Sequence, residues 1–180
     1  MVEEEYRVRR AAMSDAADLA LVHEATWRET YVGLFPEPLL NALTADARTT
    51  AWRQFLKGKP GHLSTTYVAE RTGKLVAFAS CGEQRDPQLD AEGYRGEFTA
   101  VYVLKTDQRR GLGGKLMKAM MADLAERGLV GFTLWVPRDN IPARSLYEQL
   151  GGKLIGQRDV SHEQGTIPEV AYGWPANGLP

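Results

Sequence analysis

The chain has 180 residues, 43% hydrophobic and 25% charged, with a formal net charge of −1, which reads most simply as one domain, 1–180 with its core at about 5–174, able to bury a proper core. The near-neutral balance gives no reason to expect nucleic acid or an anionic membrane as partner, and no apolar run approaches the roughly 20 residues of a membrane span. The single cysteine, Cys81, excludes an internal disulfide, and with an acidic start at Met1–Glu5 that lacks a signal core, a reducing, cytoplasmic location is expected.

Tyr6-Arg7-Val8-Arg9 alternates as a short strand. Ser14 and Asp15 suit the N-cap of a helix running through Leu19, Val22 and Thr26 toward Trp27, and residues 28–36 read as a helix end followed by a loop. Thr44 to Leu56 suits a second helix with Ala51, Trp52 and Phe55 inward, stopped by Lys57-Gly58-Lys59-Pro60-Gly61. Tyr67–Glu70 and Leu75–Ala79 flank Arg71-Thr72-Gly73-Lys74, a hairpin by composition and length. Residues 83–96 read as a polar surface loop.

Phe98–Leu104 is an apolar, β-branched strand. Beyond it Leu116, Met117, Met120, Met121 and Leu124 recur at the period of a helix with one buried face, ending at Gly128. Gly131–Val136 reads as a buried strand, and Asn140 is a cap for a helix from Ile141 to Leu150, closed by Gly151-Gly152. Strands over 153–158 and 170–174 finish the chain. The order predicts an α/β fold with a mixed, mostly antiparallel central sheet. A right-handed parallel strand–helix–strand unit spans 98–136, and helices cover both faces.

Between the 98–104 strand and its helix lies Gln108-Arg109-Arg110-Gly111-Leu112-Gly113-Gly114. Glycines let the backbone come close to a ligand, the first helical N–H groups lack intrahelical partners, and the arginines add charge, so the turn suits an anion. A nucleotide-triphosphate loop would need glycine where Arg109 stands and Ser or Thr where Leu116 stands. A dinucleotide fingerprint would also need glycine at 116. What remains is Gln/Arg-x-x-Gly-x-Gly/Ala, met by Gln108, Gly111 and Gly113; taken alone, such a turn is usually just a tight connection.

With this turn in place, the chain resembles the GNAT superfamily of acetyl-CoA-dependent N-acetyltransferases over roughly residues 5 to 174. Gly96–Val103 resembles the family's central strand, Gln108–Gly114 its pyrophosphate loop, and Asp139–Gly151 its Asn…Ala…Tyr-Glu…Gly segment. One departure is Gly152, where many members carry an aromatic; that core position is left to other side chains.

The resemblance implies acetyl-CoA as co-substrate, no metal, and transfer of acetyl to a primary amine on a small acceptor. The alternatives are a protein N-terminus or lysine as acceptor, or a CoA-binding sensor without turnover. It implies that the backbone of Arg110, Gly111, Leu112, Gly113 and Gly114 cradles the pyrophosphate, with Gln108, Arg109 and Arg110 beside it. The strand backbone at Val101, Tyr102 and Val103 would pair with the pantetheine arm, joined by Asn140 and Ala143. Glu97 stands where many members place a general base and Tyr147 where they place the acid that protonates the departing thiolate; a solvated strand-edge Glu and a core Tyr are the structural alternatives, and a helix cap alone would account for Asn140. Trp27, Glu29 and Tyr31 fall in the segment that walls the acceptor pocket, and Glu83, Arg85 and Asp86 lie on a loop near the same mouth. His23, His62 and His162 are too dispersed for a metal centre, and Cys81 has no evident activating partner. A homodimer is expected from the family habit.

Overall fold

The computed structural model describes residues 6–42, 44–58, 64–162 and 165–176. The acidic start, the stop at Lys59-Pro60-Gly61 and His62 lie outside these. A seven-stranded sheet has the order β1-β2-β3-β4-β5-β7-β6, with β1 (Tyr6–Arg10), β2 (Ser64–Arg71), β3 (Lys74–Glu83), β4 (Gly96–Val103), β5 (Phe132–Pro137), β6 (Lys153–His162) and β7 (Gly165–Trp174). Six helices accompany it among the described residues: α1 (Ala16–Tyr31), α2 (Glu37–Asn41), α3 (Ala45–Lys57), α4 (Pro87–Ala91), α5 (Leu112–Glu126) and α6 (Ile141–Gln149). Every strand pair is antiparallel except β4 with β5. This is the mixed sheet with one parallel unit that the element order predicts.

Helices cover both faces. On one, α5 buries Leu116, Met117, Met120 and Leu124 against Ala77, Ala79 and Phe98, with Val101 and Val103 packed alongside. On the other, Leu19 and Ala20 of α1 and Trp52 of α3 meet Val68 and Phe78. The β2–β3 turn places Thr72 and Gly73 at φ 50° and 78°, the paired positive values that match the twist of a two-residue hairpin.

Several boundaries differ from the sequence reading, each for a physical reason. Asp15 does stand at the N-cap of α1, but its side chain makes no capping bond. It accepts instead from Ala12 N–H (2.7 Å) and from Arg9 (2.7 and 2.9 Å), tying β1 to the helix. The helix continues past Trp27 because Tyr31, one turn on, is buried and packs on that indole at 4.6 Å. The 83–96 segment holds a helical turn, α4, capped by Asp86 through Gln88 N–H and Leu89 N–H. β6 and β7 are each ten residues long. β6 is the sheet's edge and largely exposed, so polar residues extend it without an apolar signal. On α3 only Trp52 is buried; Ala51 and Phe55, expected inward, are exposed because their face stands off the sheet over a cavity.

Two irregularities in β4 position the site. Its pairing with β5 is confined to Gly96 with Phe132 and Glu97 with Thr133, so the two strands part beyond Glu97. Against β3, Ser80 pairs with Ala100 and Cys81 with Phe98; Thr99 is the extra residue of a bulge, which bends the strand where the seam opens. At the pivot, a Cβ on Gly96 would meet Phe132 Cδ1 at 2.9 Å and Leu124 Cδ1 at 3.0 Å.

Candidate functional site

The glycine turn leads from the end of β4 into α5. Asp107, fully buried, accepts from Tyr6 Oη (3.0 Å), Thr106 Oγ1 (2.7 Å) and Arg71 Nε (3.1 Å), anchoring the turn to the first two strands. Gln108 donates to Val103 O (3.0 Å) and holds the turn against the strand it leaves. Arg109 (φ 61°) and Gly111 (φ 76°) both adopt the left-handed region, and Gly111 is the N-cap of α5 without a side-chain cap. The first helical bond runs from Lys115 N–H to Gly111 O. The N–H groups of Leu112, Gly113 and Gly114 therefore have no acceptor within the helix, and together with the curled backbone they form an anion nest. The side chain of Leu112 is buried core, so its contribution to the nest is backbone. Gly113 is needed for a different reason: a Cβ there would meet Leu146 Cδ2 of α6 at 2.7 Å.

The parted strands open beside this nest. Val101 and Val103 keep their pairing with β3 on one edge, while their other edge faces the gap with no β5 residue in register. Their side chains pack under α5, and Tyr102 points to the opposite face, its ring 5.3 Å from Phe78 and its hydroxyl 3.2 Å from that of Tyr31. On the far bank, Asn140 Oδ1 caps α6 by accepting from Ala143 N–H at 3.3 Å. Tyr147, in the second half of α6, is buried, and its ring lies 5.9 Å from Tyr172 and 6.3 Å from Trp174. Burial, with Tyr102 nearby, raises its hydroxyl above the ordinary tyrosine value, so at neutral pH it holds its proton and is able to donate.

Glu97 sits where the strands begin to part and is 4% exposed. It is not a solvated edge residue. Arg85 closes on both its oxygens, Nε to Oε2 at 2.8 Å and Nη2 to Oε1 at 2.7 Å, with Arg85 N–H at 3.3 Å from Oε2. Of the loop residues considered with it, Asp86 caps α4 and Glu83 ends β3.

The segment taken for the acceptor wall divides. Trp27 and Tyr31 form an aromatic cluster with Phe35, the rings of Tyr31 and Phe35 stacked at 4.3 Å. Glu29 accepts from Lys105 N–H at 2.9 Å, linking α1 to the segment after β4. A cavity of about 240 Å³ lies between α1 and α3 on one side and β3 and β4 on the other, with Ser80, Thr99 and Ala100 at its base. His23 and Arg48 line it, and neither stood out in the sequence. The signal was there as spacing: His23, Trp27 and Tyr31 recur every four residues on α1, and Arg48, Ala51, Trp52 and Phe55 share a face of α3. His23 is surrounded by the rings of Trp52, Phe78 and Tyr102 at 5.0–5.7 Å, and burial, reinforced by Arg48, pulls its pKa down to about 3. Among the described residues, no three His, Cys, Asp or Glu side chains gather where they would hold a metal. Burial pushes the Cys81 thiol up to about 12, which keeps it protonated and unreactive.

This combination of fold and site belongs to a known class. Residues 21–152 match the model of the acetyltransferase (GNAT) family, and the chain belongs to that family. The uncharacterized N-acetyltransferase YuaI of Bacillus subtilis is 32% identical over 170 residues, covering 93% of this chain and 92% of that protein. Among solved structures, the PaiA N-acetyltransferase of Thermoplasma acidophilum, in complex with coenzyme A, superposes with a TM-score of 0.72 at 16% identity, covering 92% of this chain and 98% of that one. The yncA protein of Salmonella typhimurium, solved with its cofactor acetyl-CoA, gives 0.70 at 20% identity, covering 96% and 94%.

Proposed function

We propose that the protein transfers acetyl from acetyl-CoA to a primary amine on a small-molecule acceptor. The observation that carries this reading is the seam between β4 and β5. It parts immediately after Glu97, has an anion nest on the α5 side, and has Tyr147 on the opposite bank. The binding of coenzyme A and acetyl-CoA by structural neighbours of the same fold supports it.

In this reading the N–H groups of Leu112, Gly113 and Gly114 take the pyrophosphate, with Arg109 and Arg110 beside it. The free edge of Val101 to Val103 accepts the amide-bearing arm as an added strand, and Asn140 and Ala143 line its other side. Acetyl-CoA supplies the acetyl group as a thioester. The transfer forms a bond from the acceptor nitrogen to the acetyl carbon and breaks that carbon's bond to sulfur. A proton leaves the amine and a proton reaches the sulfur. An alkyl amine, with a reference pKa of about 10.4, is mostly protonated at pH 7 and must lose a proton before it attacks. Glu97 accepts that proton, directly or through water, while Arg85 balances its buried charge. Tyr147 donates to the sulfur. Trp27 and Tyr31 bound the acceptor side, where the 240 Å³ cavity suits a small metabolite better than a folded protein surface.

The test is release of CoA thiol from acetyl-CoA against a broad panel of small amines and of peptides. Turnover with small amines supports the reading. Turnover with peptide N-termini or lysines alone would move the acceptor to proteins, and CoA binding with no turnover on any amine would make the protein a sensor. Gly111→Glu places bulk and negative charge in the nest and is expected to abolish CoA binding; retained affinity would reject the nest as the cofactor site.

A further inference from the structure

We propose that the acceptor carries a carboxylate and that Arg48 of α3 binds it. This rests on the acetyl-transfer reading and narrows its substrate class to amino acids and related amino carboxylates.

Arg48 is the one fully charged side chain lining the cavity; its companions are His23, Trp52, Phe55, Phe78 and small residues of β3 and β4. Arg48 is partly buried, and no carboxylate of the described residues lies within ion-pairing distance of it. Glu24 acts on it only at longer range, being occupied with Ala45 N–H at 2.9 Å and with Arg28 at 3.8 Å. Of the other partly buried arginines, Arg9 pairs with Asp15 and Glu70, Arg71 with Asp107 and Arg127 with Asp123, while Arg144 donates to the Tyr172 hydroxyl and the Arg138 carbonyl. Arg48 has no carboxylate partner among the described residues. Its guanidinium rests over Trp27 at 5.6 Å, and both its Nε and the Trp27 Nε1 are buried donors with no acceptor among the described residues.

Two orphaned donors around an unneutralised cation are unfavourable unless something completes them. A carboxylate is acceptor-only, planar and singly charged, and it matches the guanidinium fork in both geometry and charge. Arg48 Nη1 lies 2.8 Å from Nδ1 and 2.9 Å from Nε2 of the His23 imidazole, of which the unprotonated nitrogen is the acceptor. Being neutral at physiological pH, the ring accepts from the guanidinium and orients it without adding a second positive charge. The lining contains no further cation, which favours a monoanion over a phosphate ester. The cavity base at Thr99 and Ala100 is the bulge of β4, beside the point where the strands part. An acceptor anchored by its carboxylate on Arg48 therefore directs its amine toward the seam. A peptide N-terminus lacks a free α-carboxylate on its first residue and would not complete this site.

The experiment compares L-amino acids with their carboxamides, in wild type, Arg48→Gln and Arg48→Lys, by two readouts. The first is CoA release from acetyl-CoA; the second is the thermal shift each compound produces on the CoA-bound protein, which needs no turnover. Wild type is expected to favour free acids by about tenfold to hundredfold in kcat/KM. Arg48→Gln should erase that preference, its loss in kcat/KM falling far more heavily on the free acids than on the amides, and Arg48→Lys should restore part of it. Equal use of acids and amides by wild type, or an equal loss on both in Arg48→Gln, would overturn the proposal while leaving acetyl transfer intact. Carboxylate binding that depends on Arg48, without acetylation of any amine, would uphold it and sink the transfer reading. The absence of both binding and turnover would reject the two together.

Discussion

Arg85 grips both oxygens of Glu97 from the loop that follows β3, at 2.8 and 2.7 Å, with the carboxylate buried and the guanidinium largely open to solvent. The pair fixes the orientation of a carboxylate at the mouth of the β4–β5 seam, and substitutions in it separate a base from a structural clamp. Glu97→Gln keeps an acceptor for Arg85 and removes the base. A fall in kcat of about 100-fold with little change in melting temperature is expected. Unchanged kcat with lowered stability would make the pair a purely structural clamp. Arg85→Met leaves the buried carboxylate with only a backbone partner and should destabilise by about 1–2 kcal/mol, measured by chemical denaturation.

Tyr147→Phe removes a hydroxyl that makes no hydrogen bond with a described residue, so folding should be almost unaffected. Thiol-release kinetics should show kcat reduced about tenfold to hundredfold with the KM for acetyl-CoA nearly unchanged, because the proton it supplies is needed only as the carbon–sulfur bond breaks. A variant with wild-type kcat would return Tyr147 to the core.

Gly152 stands where many family members carry an aromatic. Here a Cβ would meet Trp174 Cζ2 at 2.6 Å and Tyr147 O at 2.9 Å. Trp174, fully buried and donating from Nε1 to Leu150 O at 2.8 Å, fills that place from β7. Gly152→Phe alone should destabilise by about 3 kcal/mol through overpacking. Combined with Trp174→Ala, a substantial part should be recovered, and a double-mutant cycle reads the coupling.

His23 is half-buried and neutral, with its pKa pulled from the ordinary 6.5 down to about 3 chiefly by loss of solvent. Below pH 6.5 the unfolded chain takes up a proton that the folded protein refuses. Stability attributable to this residue is therefore complete above pH 6.5 and declines as pH falls from 6.5 toward 3. The limiting slope is about 1.4 kcal/mol per pH unit. Acid-protonated carboxylates such as Asp15, held below its usual range chiefly by its hydrogen bond with Arg9, add to the loss at lower pH. Urea titrations at pH 7, 5.5 and 4.5 should show a shallower decline in His23→Gln than in wild type. Parallel declines would mean that His23 is not held neutral.

Where periodicity and turn chemistry act locally, the sequence was enough. The helix of α5, the Thr72-Gly73 hairpin, the Asn140 cap and the glycine turn each depend on neighbours within a few residues, and each stands where those residues indicate. Glu97 and Tyr147 were singled out by motifs, yet nothing near Glu97 in the chain announces a bidentate partner twelve residues earlier. The face of α3 carrying Arg48, Ala51, Trp52 and Phe55 shows why an apolar helical stripe is ambiguous. The same spacing serves a helix pressed on a sheet and a helix that walls a cavity, and only the distance between the layers distinguishes them.

Composition, the order of strands and helices, and the Gln108–Gly114 turn sufficed to read a mixed α/β fold with a glycine turn leading into α5, since these depend on local backbone preference and on the period of burial. The parting of β4 from β5, the ion pair across the mouth, and the meeting of His23, Trp27 and Arg48 from two helices over the bulge at Thr99 are long-range matters. They follow from how the layers pack, which brings the Arg48 guanidinium to the cavity with no carboxylate of the described residues beside it.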